Sequence, residues 1–145
     1  MVTLLSIDPG KYKCGLVLAE ISEQKVYKAI VLKSEILEDY VTDLNSVEDI
    51  SKIIIGNGTT SGDIKKKLDF FKKEKITFDE KNTTFRAKAR YFELFPISGF
   101  KLLIPREFFI INKNLDALSA LIILEDYYKI KFTLNQKIDL KTWLK

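Results

Sequence analysis

Three strand-like segments follow one another within the first 33 residues, and only after them does the chain begin to alternate strand with helix. That order admits few folds. Residues 2–8, 14–21 and 25–33 are apolar and joined by short connections such as Ser22-Glu23-Gln24, so they read as an antiparallel meander. Residues 35–46 then place Ile36, Leu37, Tyr40, Val41 and Leu44 on one helical face, with Ser34 as the expected N-cap. Ile53-Ile54-Ile55 is short, β-branched and closed by Gly56-Asn57-Gly58, the pattern of a buried strand. A basic amphipathic helix is expected over 62–74, with Ile64, Leu68 and Phe71 on its apolar face. Strand 76–78 and a helix from Asn82 or Thr83 to about Phe95 follow, and 114–129 form the last strong helix. The tail beyond it has no assignable pattern. Such an order implies an α/β fold with a mixed five-stranded sheet: three antiparallel strands, then two parallel strands returned by right-handed helical crossovers, with helices flanking the sheet.

At 145 residues the chain is expected to form a single domain, residues 1–145, large enough for a core that needs no disulfide or metal staple. No apolar run approaches the roughly 20 residues that span a bilayer, and the first residues form a strand rather than a cleavable signal, so a cytoplasmic protein with no membrane partner is expected. The one cysteine, Cys14, lies inside an apolar strand and reads as a small buried hydrophobe. There is no histidine. That removes imidazole bases, His-dependent triads and His-ligated zinc, and leaves carboxylates, amines, hydroxyls and oxygen-bound metal for any chemistry. The net charge of +4 comes mostly from lysine, a mild bias towards polyanions.

Topology gathers the acids. Ligand sites in parallel sheets lie at the carboxyl ends of the strands, where Asp8 ends the first strand and Asp79-Glu80 end a later one, with Gly56-Asn57 between them if the fourth strand lies beside the first. Taken alone, Asp8-Pro9-Gly10 reads equally as a turn. Asp116 interrupts the first turn of a helix that is apolar almost all round, and Ala117, Ser119 and Ala120 are small enough to let that helix approach the sheet closely. A helix-dipole role for Asp116 stands beside a site role. Three carboxylates without histidine suit Mg²⁺ or Mn²⁺, hard ions with oxygen ligands, and such ions support phosphodiester cleavage.

These segments resemble the YqgF (RuvX) group of RuvC-like nucleases within the RNase H-like superfamily. The stretch Ile7-Asp8-Pro9-Gly10-Lys11-Tyr12-Lys13-Cys14-Gly15 is similar to the opening Asp-x-Gly motif. Asp79-Glu80-Lys81-Asn82-Thr83-Thr84, followed by Ala87, is similar to the Asp-Glu-x-x-Ser/Thr-Thr motif, and Leu115–Leu124 resembles the closing Asp-x-x-Ala-Ala-x-Ile-Leu helix. The resemblance implies an RNase H-like fold, with Asp8, Glu80 and Asp116 as catalytic acids that hold Mg²⁺ or Mn²⁺. Strand alternation allows only one of Asp79 and Glu80 to face the site, and Glu80 is the expected ligand. It further implies a nucleic acid partner: precursor 16S rRNA, matured at its 5′ end and with the ribosomal subunit as a further partner, or branched DNA, as for a Holliday junction resolvase. Either a monomer or a homodimer is compatible with this. Lys11, Lys13, Thr83, Thr84, Arg86 and Arg90 are the expected nucleic-acid contacts. One departure stands out, because resolvases of the RuvC type carry an acid after the fourth strand where this chain has Gly56-Asn57-Gly58. Two other readings compete: an actin-like ATPase, disfavoured by the lack of a second Gly-rich phosphate motif, and a non-catalytic nucleic-acid-binding or ribosome-binding protein with a nuclease-like fold.

Overall fold

The computed structural model describes residues 2–58, 60–79, 83–95 and 115–135, except for the side chain of Thr84. Its elements are β1 (Thr3–Asp8), β2 (Lys13–Glu20), β3 (Lys25–Lys33), α1 (Leu37–Glu48), β4 (Lys52–Gly56), α2 (Ser61–Lys67), β5 (Glu74–Phe78), α3 (Thr83–Leu94), α4 (Asp116–Tyr128) and β6 (Thr133–Leu134). The strands form one sheet in the order β5-β4-β1-β2-β3-β6. β1, β2 and β3 are the expected antiparallel meander, and β4 and β5 join it in parallel beside β1. This is the mixed α/β architecture of the RNase H-like fold.

The sixth strand corrects the expected count of five. Thr133 and Leu134 run parallel to β3, paired with Lys25 and Val26, and two residues give too little periodicity to be read as a strand. Just before them, Phe132 is fully buried, so this part of the tail covers the core. Ile138, Leu140 and Trp143, further along the tail, lie outside the described residues.

β1 and β4 are apolar on both faces because both faces are covered, as is usual for parallel strands at the centre of a sheet. Leu4 and Ile54 pack with Val17, Ala19 and Val31 beneath α4, whose Ala117 through Leu124 are all buried. Leu5, Ile7, Ile53 and Ile55 face the opposite layer, with Leu37 and Val41 of α1, Ile64 of α2, and Leu68 and Phe71 beyond it.

Two helices differ from expectation at their ends. α1 is preceded by a 3₁₀ turn over Ser34–Ile36, and Ser34 does not cap it; its hydroxyl donates instead to the Gly10 carbonyl at 2.8 Å. The helix expected over 62–74 stops at Lys67, although Leu68 and Phe71 are buried as its apolar face requires. There the bonds tighten to i→i+3, from Asp69 to Lys66 and from Phe71 to Leu68. The Lys75 ammonium donates to the Leu68 and Phe71 carbonyls at 2.9 and 3.1 Å, satisfying acceptors that a continued helix would have used.

Candidate active site

Asp8 is the last residue of β1 and lies directly opposite Gly15 of β2. Side chains alternate along a strand, so Asp8 shares a face with Leu4 and Ser6, the face beneath α4. The first turn of α4 lies on Gly15. A Cβ added there would stand 1.8 Å from the Asp116 carbonyl oxygen and 2.7 Å from the Ala117 nitrogen, so only glycine admits this approach. That contact brings Asp116 to the end of β1.

Both carboxyls are perturbed, and the charge of Asp116 acts on Asp8. Burial, and secondarily the charge of Asp116, pushes the Asp8 carboxyl up to about 7. Asp116 is also raised by burial, with Lys13 pulling in the opposite direction. Two partly desolvated acids that disfavour their own anions form a site that a cation would stabilise. With carboxylate oxygens as donors and no histidine in the chain, the set fits a hard divalent ion such as Mg²⁺ or Mn²⁺. No cluster of three His, Cys, Asp or Glu side chains occurs among the described residues, and Glu80, the expected third acid, lies outside them.

A cleft of about 60 Å³ adjoins Asp8, lined by Pro9, Gly56, Asn57, Gly58, Thr83 and Ile123. It has room for a few water-sized groups. Gly56 follows Ile55, the β4 residue that neighbours the end of β1, as the sheet order requires, and the Asn57 N–H donates to the Phe78 carbonyl at 2.9 Å, holding the ends of β4 and β5 together. Phe78 packs on the α4 side of the sheet, whereas Asp79 is exposed.

The expected nucleic-acid contacts divide. Thr83 lines the cleft, and Lys11 and Lys13 are exposed, Lys13 near enough to act on Asp116. The side chain of Thr84 is not described. Arg86 and Arg90 belong to a different part of the fold, where they bind α3 to the far end of α4. Arg90 is buried and donates to both Glu125 oxygens at 3.0 and 2.9 Å, to the Phe132 carbonyl at 2.9 Å and to Glu93 at 3.1 Å. Arg86 donates to both oxygens of Asp126. Arg86 and Arg90, one helical turn apart on α3, match the adjacent acids Glu125 and Asp126 of α4. For Arg90 the nucleic-acid role gives way to a structural one, because its guanidinium is buried and four of its five N–H groups are already engaged.

Three residues serve the site through contacts that were not read from the sequence. The Ser6 hydroxyl, fully buried, donates to the Ala120 carbonyl of α4 at 2.7 Å. Gly56 admits Ile123, whose Cδ1 would stand 2.6 Å from an added Cβ. Ser34, just after β3, holds the loop that follows β1, its hydroxyl donating to the Gly10 carbonyl and its N–H to the Tyr12 carbonyl, each at 2.8 Å. A small or polar residue within an otherwise apolar strand was the available signal for the first two.

No protein-family model matches this chain, and no curated protein sequence matches it. Among solved structures it is similar to T. thermophilus RuvC in complex with Holliday junction substrate, at 11% sequence identity over 89% of this chain and 96% of that one, with a TM-score of 0.55. At that identity the likeness establishes the fold that this chain shares with RuvC.

Proposed function

We propose that the protein is a divalent-metal-dependent nucleic acid phosphodiesterase in which Asp8, Asp116 and Glu80 hold the metal. The observation that carries this reading is the convergence of Asp8 and Asp116, from opposite ends of the chain, into one partly desolvated pair at the carboxyl end of β1. A buried acid pair costs stability and is hard to explain by packing alone. Glu80 enters through the likeness of Asp79-Glu80-Lys81-Asn82-Thr83-Thr84 to the Asp-Glu-x-x-Ser/Thr-Thr motif.

Mg²⁺ or Mn²⁺ at such a set supplies Lewis-acid polarisation of a phosphodiester and activation of water. The residues around it orient and neutralise. Lys13, beside Asp116, offers a cation to a phosphate of the bound strand, and Thr83 presents a hydroxyl to the cleft. The cleft admits small groups to Asp8.

The finer reading is a YqgF-type endonuclease in 5′ maturation of precursor 16S rRNA, supported by the three motifs and by Gly56-Asn57 standing where RuvC-type resolvases carry an acid. Junction cleavage is the second reading, favoured by the likeness to RuvC bound to a Holliday junction. Labelled precursor 16S RNA and a synthetic four-way junction, each incubated with the protein and with Asp8→Asn in Mg²⁺ or Mn²⁺, separate the two. Cleavage of RNA alone, abolished by Asp8→Asn, is the expected result; cleavage of the junction alone selects the second reading. If neither is cut, the phosphodiesterase proposal fails and a binding role takes its place.

A further inference from the structure

Beside the acids lies a larger groove of about 310 Å³, lined by Lys11, Tyr12, Lys13, Lys33 and Glu35. We infer that it binds an unpaired stretch of nucleic acid strand, with phosphates on the lysines and one base stacked on the Tyr12 ring. The inference rests on the nucleic-acid reading above and adds the strand state of the substrate.

Three features point to such an occupant. Lys13 and Lys33 are direct cross-strand partners at the end of the β2–β3 ladder, and both are exposed. Like charges directly opposite one another destabilise a sheet, and a polyanion lying across them relieves the repulsion. Lys13 shares its face with Gly15, on which Asp116 rests, so the lysine pair continues outward from the acids. Glu35 is the one acid in the lining against three lysines, which leaves the groove positive.

Tyr12 supplies the second element. Its side chain is 74% exposed, yet the turn beneath it is held firmly. Ser34 donates through its N–H to the Tyr12 carbonyl and through its hydroxyl to the Gly10 carbonyl, each at 2.8 Å, and the buried Cys14 thiol lies 3.2 Å from that hydroxyl. The Lys11 ammonium stands 5.4 Å from the ring centroid. An aromatic ring presented on a fixed turn among cations is the usual platform for single strands, because every base has a face to stack. A duplex keeps its base faces covered, so the ring discriminates in favour of unpaired nucleotides.

The test is equilibrium binding by fluorescence anisotropy in EDTA at low salt, where cleavage plays no part. The probes are labelled oligouridylate and oligothymidylate of about twelve nucleotides and a duplex of equal length; the first two distinguish RNA from DNA as the source of the strand. Tyr12→Ala is expected to weaken single-strand binding about tenfold or more and to leave duplex binding unchanged, while Tyr12→Phe keeps wild-type affinity. Lys33→Ala should reduce the slope of log affinity against log salt by about 0.7. Unaltered single-strand binding by Tyr12→Ala, equal loss on the duplex, or no binding by the wild type overturns the inference. Ring-dependent binding without metal-dependent cleavage would defeat the phosphodiesterase reading and leave the groove standing. Cleavage sensitive to Asp8→Asn but with Tyr12-independent binding would do the reverse.

Discussion

Replacing Asp8 by Asn is expected to stabilise the protein at neutral and alkaline pH while abolishing its chemistry. Burial and the charge of Asp116 raise the Asp8 carboxyl from its usual 3.8 to about 7. Between those two values the folded protein keeps a proton that the unfolded chain has released. Stability therefore falls as pH rises through this window, and the full penalty is present above about pH 7. The interval corresponds to about 4 kcal/mol as a ceiling; partial exposure of the carboxyl reduces this, so about 2–3 kcal/mol is expected. Asn keeps the size and polarity of the side chain and carries no charge. In EDTA at pH 8, Asp8→Asn should melt about 5–10 °C above the wild type, and the gap should close as the pH is lowered to 4. Adding Mn²⁺ at pH 8 should raise the wild-type midpoint, by about 2.7 kcal/mol at a hundredfold excess over the dissociation constant, and leave the variant unmoved. Equal stability of the two proteins at pH 8 in EDTA, or a gap independent of pH, would refute the claim that Asp8 is held as a strained anion.

Gly15→Ala keeps every acid but sets a methyl group against the Asp116 carbonyl, a backbone atom that cannot turn aside. It should cost roughly 1–3 kcal/mol or more as overpacking and lower metal affinity, which thermal melts with and without Mn²⁺ will read. Glu125→Ala strips a buried Arg90 of its main partner and leaves the Phe132 N–H, now bonded to Glu125 at 2.8 Å, without an acceptor. A loss of about 3–5 kcal/mol in urea denaturation is expected, against about 1 kcal/mol or less for Arg86→Ala, whose pair with Asp126 is half exposed. Comparable losses for the two would show that burial does not set the difference.

The fold was legible where periodicity and length agree. The three-strand meander, the apolar run of β4 and the all-round apolar α4 each allow one reading, and their order leaves one sheet topology. Asp8 and Asp116 were legible for a related reason: each is a charge placed where an apolar neighbour was expected. Arg90 was misread because the spacing of Arg86 and Arg90 fits two partners, an external phosphate and a pair of adjacent acids on α4, and a one-dimensional pattern does not say which helix lies opposite. Helix ends failed likewise, since α2 ends through an interaction with Lys75, which lies beyond it in the next strand. Pairing as short as that of Thr133 and Leu134 depends on β3 presenting an edge, which is a property of the sheet and not of those two residues.

What places Asp116 is the seating of α4, and that seating has a simple geometry. The helix meets three strands at three points: the Asp116 backbone on Gly15 of β2, the Ala120 carbonyl on Ser6 of β1, and Ile123 against Gly56 of β4. Positions 116, 120 and 123 follow the i, i+4, i+7 stripe of one helical face, and each strand offers a glycine or serine where the helix crosses it. A larger residue at any of the three would lift that face from the sheet. At its other end α4 is tied to α3 and to the segment before β6 by the Arg90–Glu125 pair, so it has little freedom to slide along its axis. The acid in its first turn thus reaches Asp8 because of four contacts, none of which involves its own carboxylate. The positive end of the helix dipole favours the Asp116 anion there by about 0.3–1 kcal/mol, less than the burial of the pair costs. The arrangement therefore carries a net penalty in the absence of a cation, as expected of a pair placed to bind one.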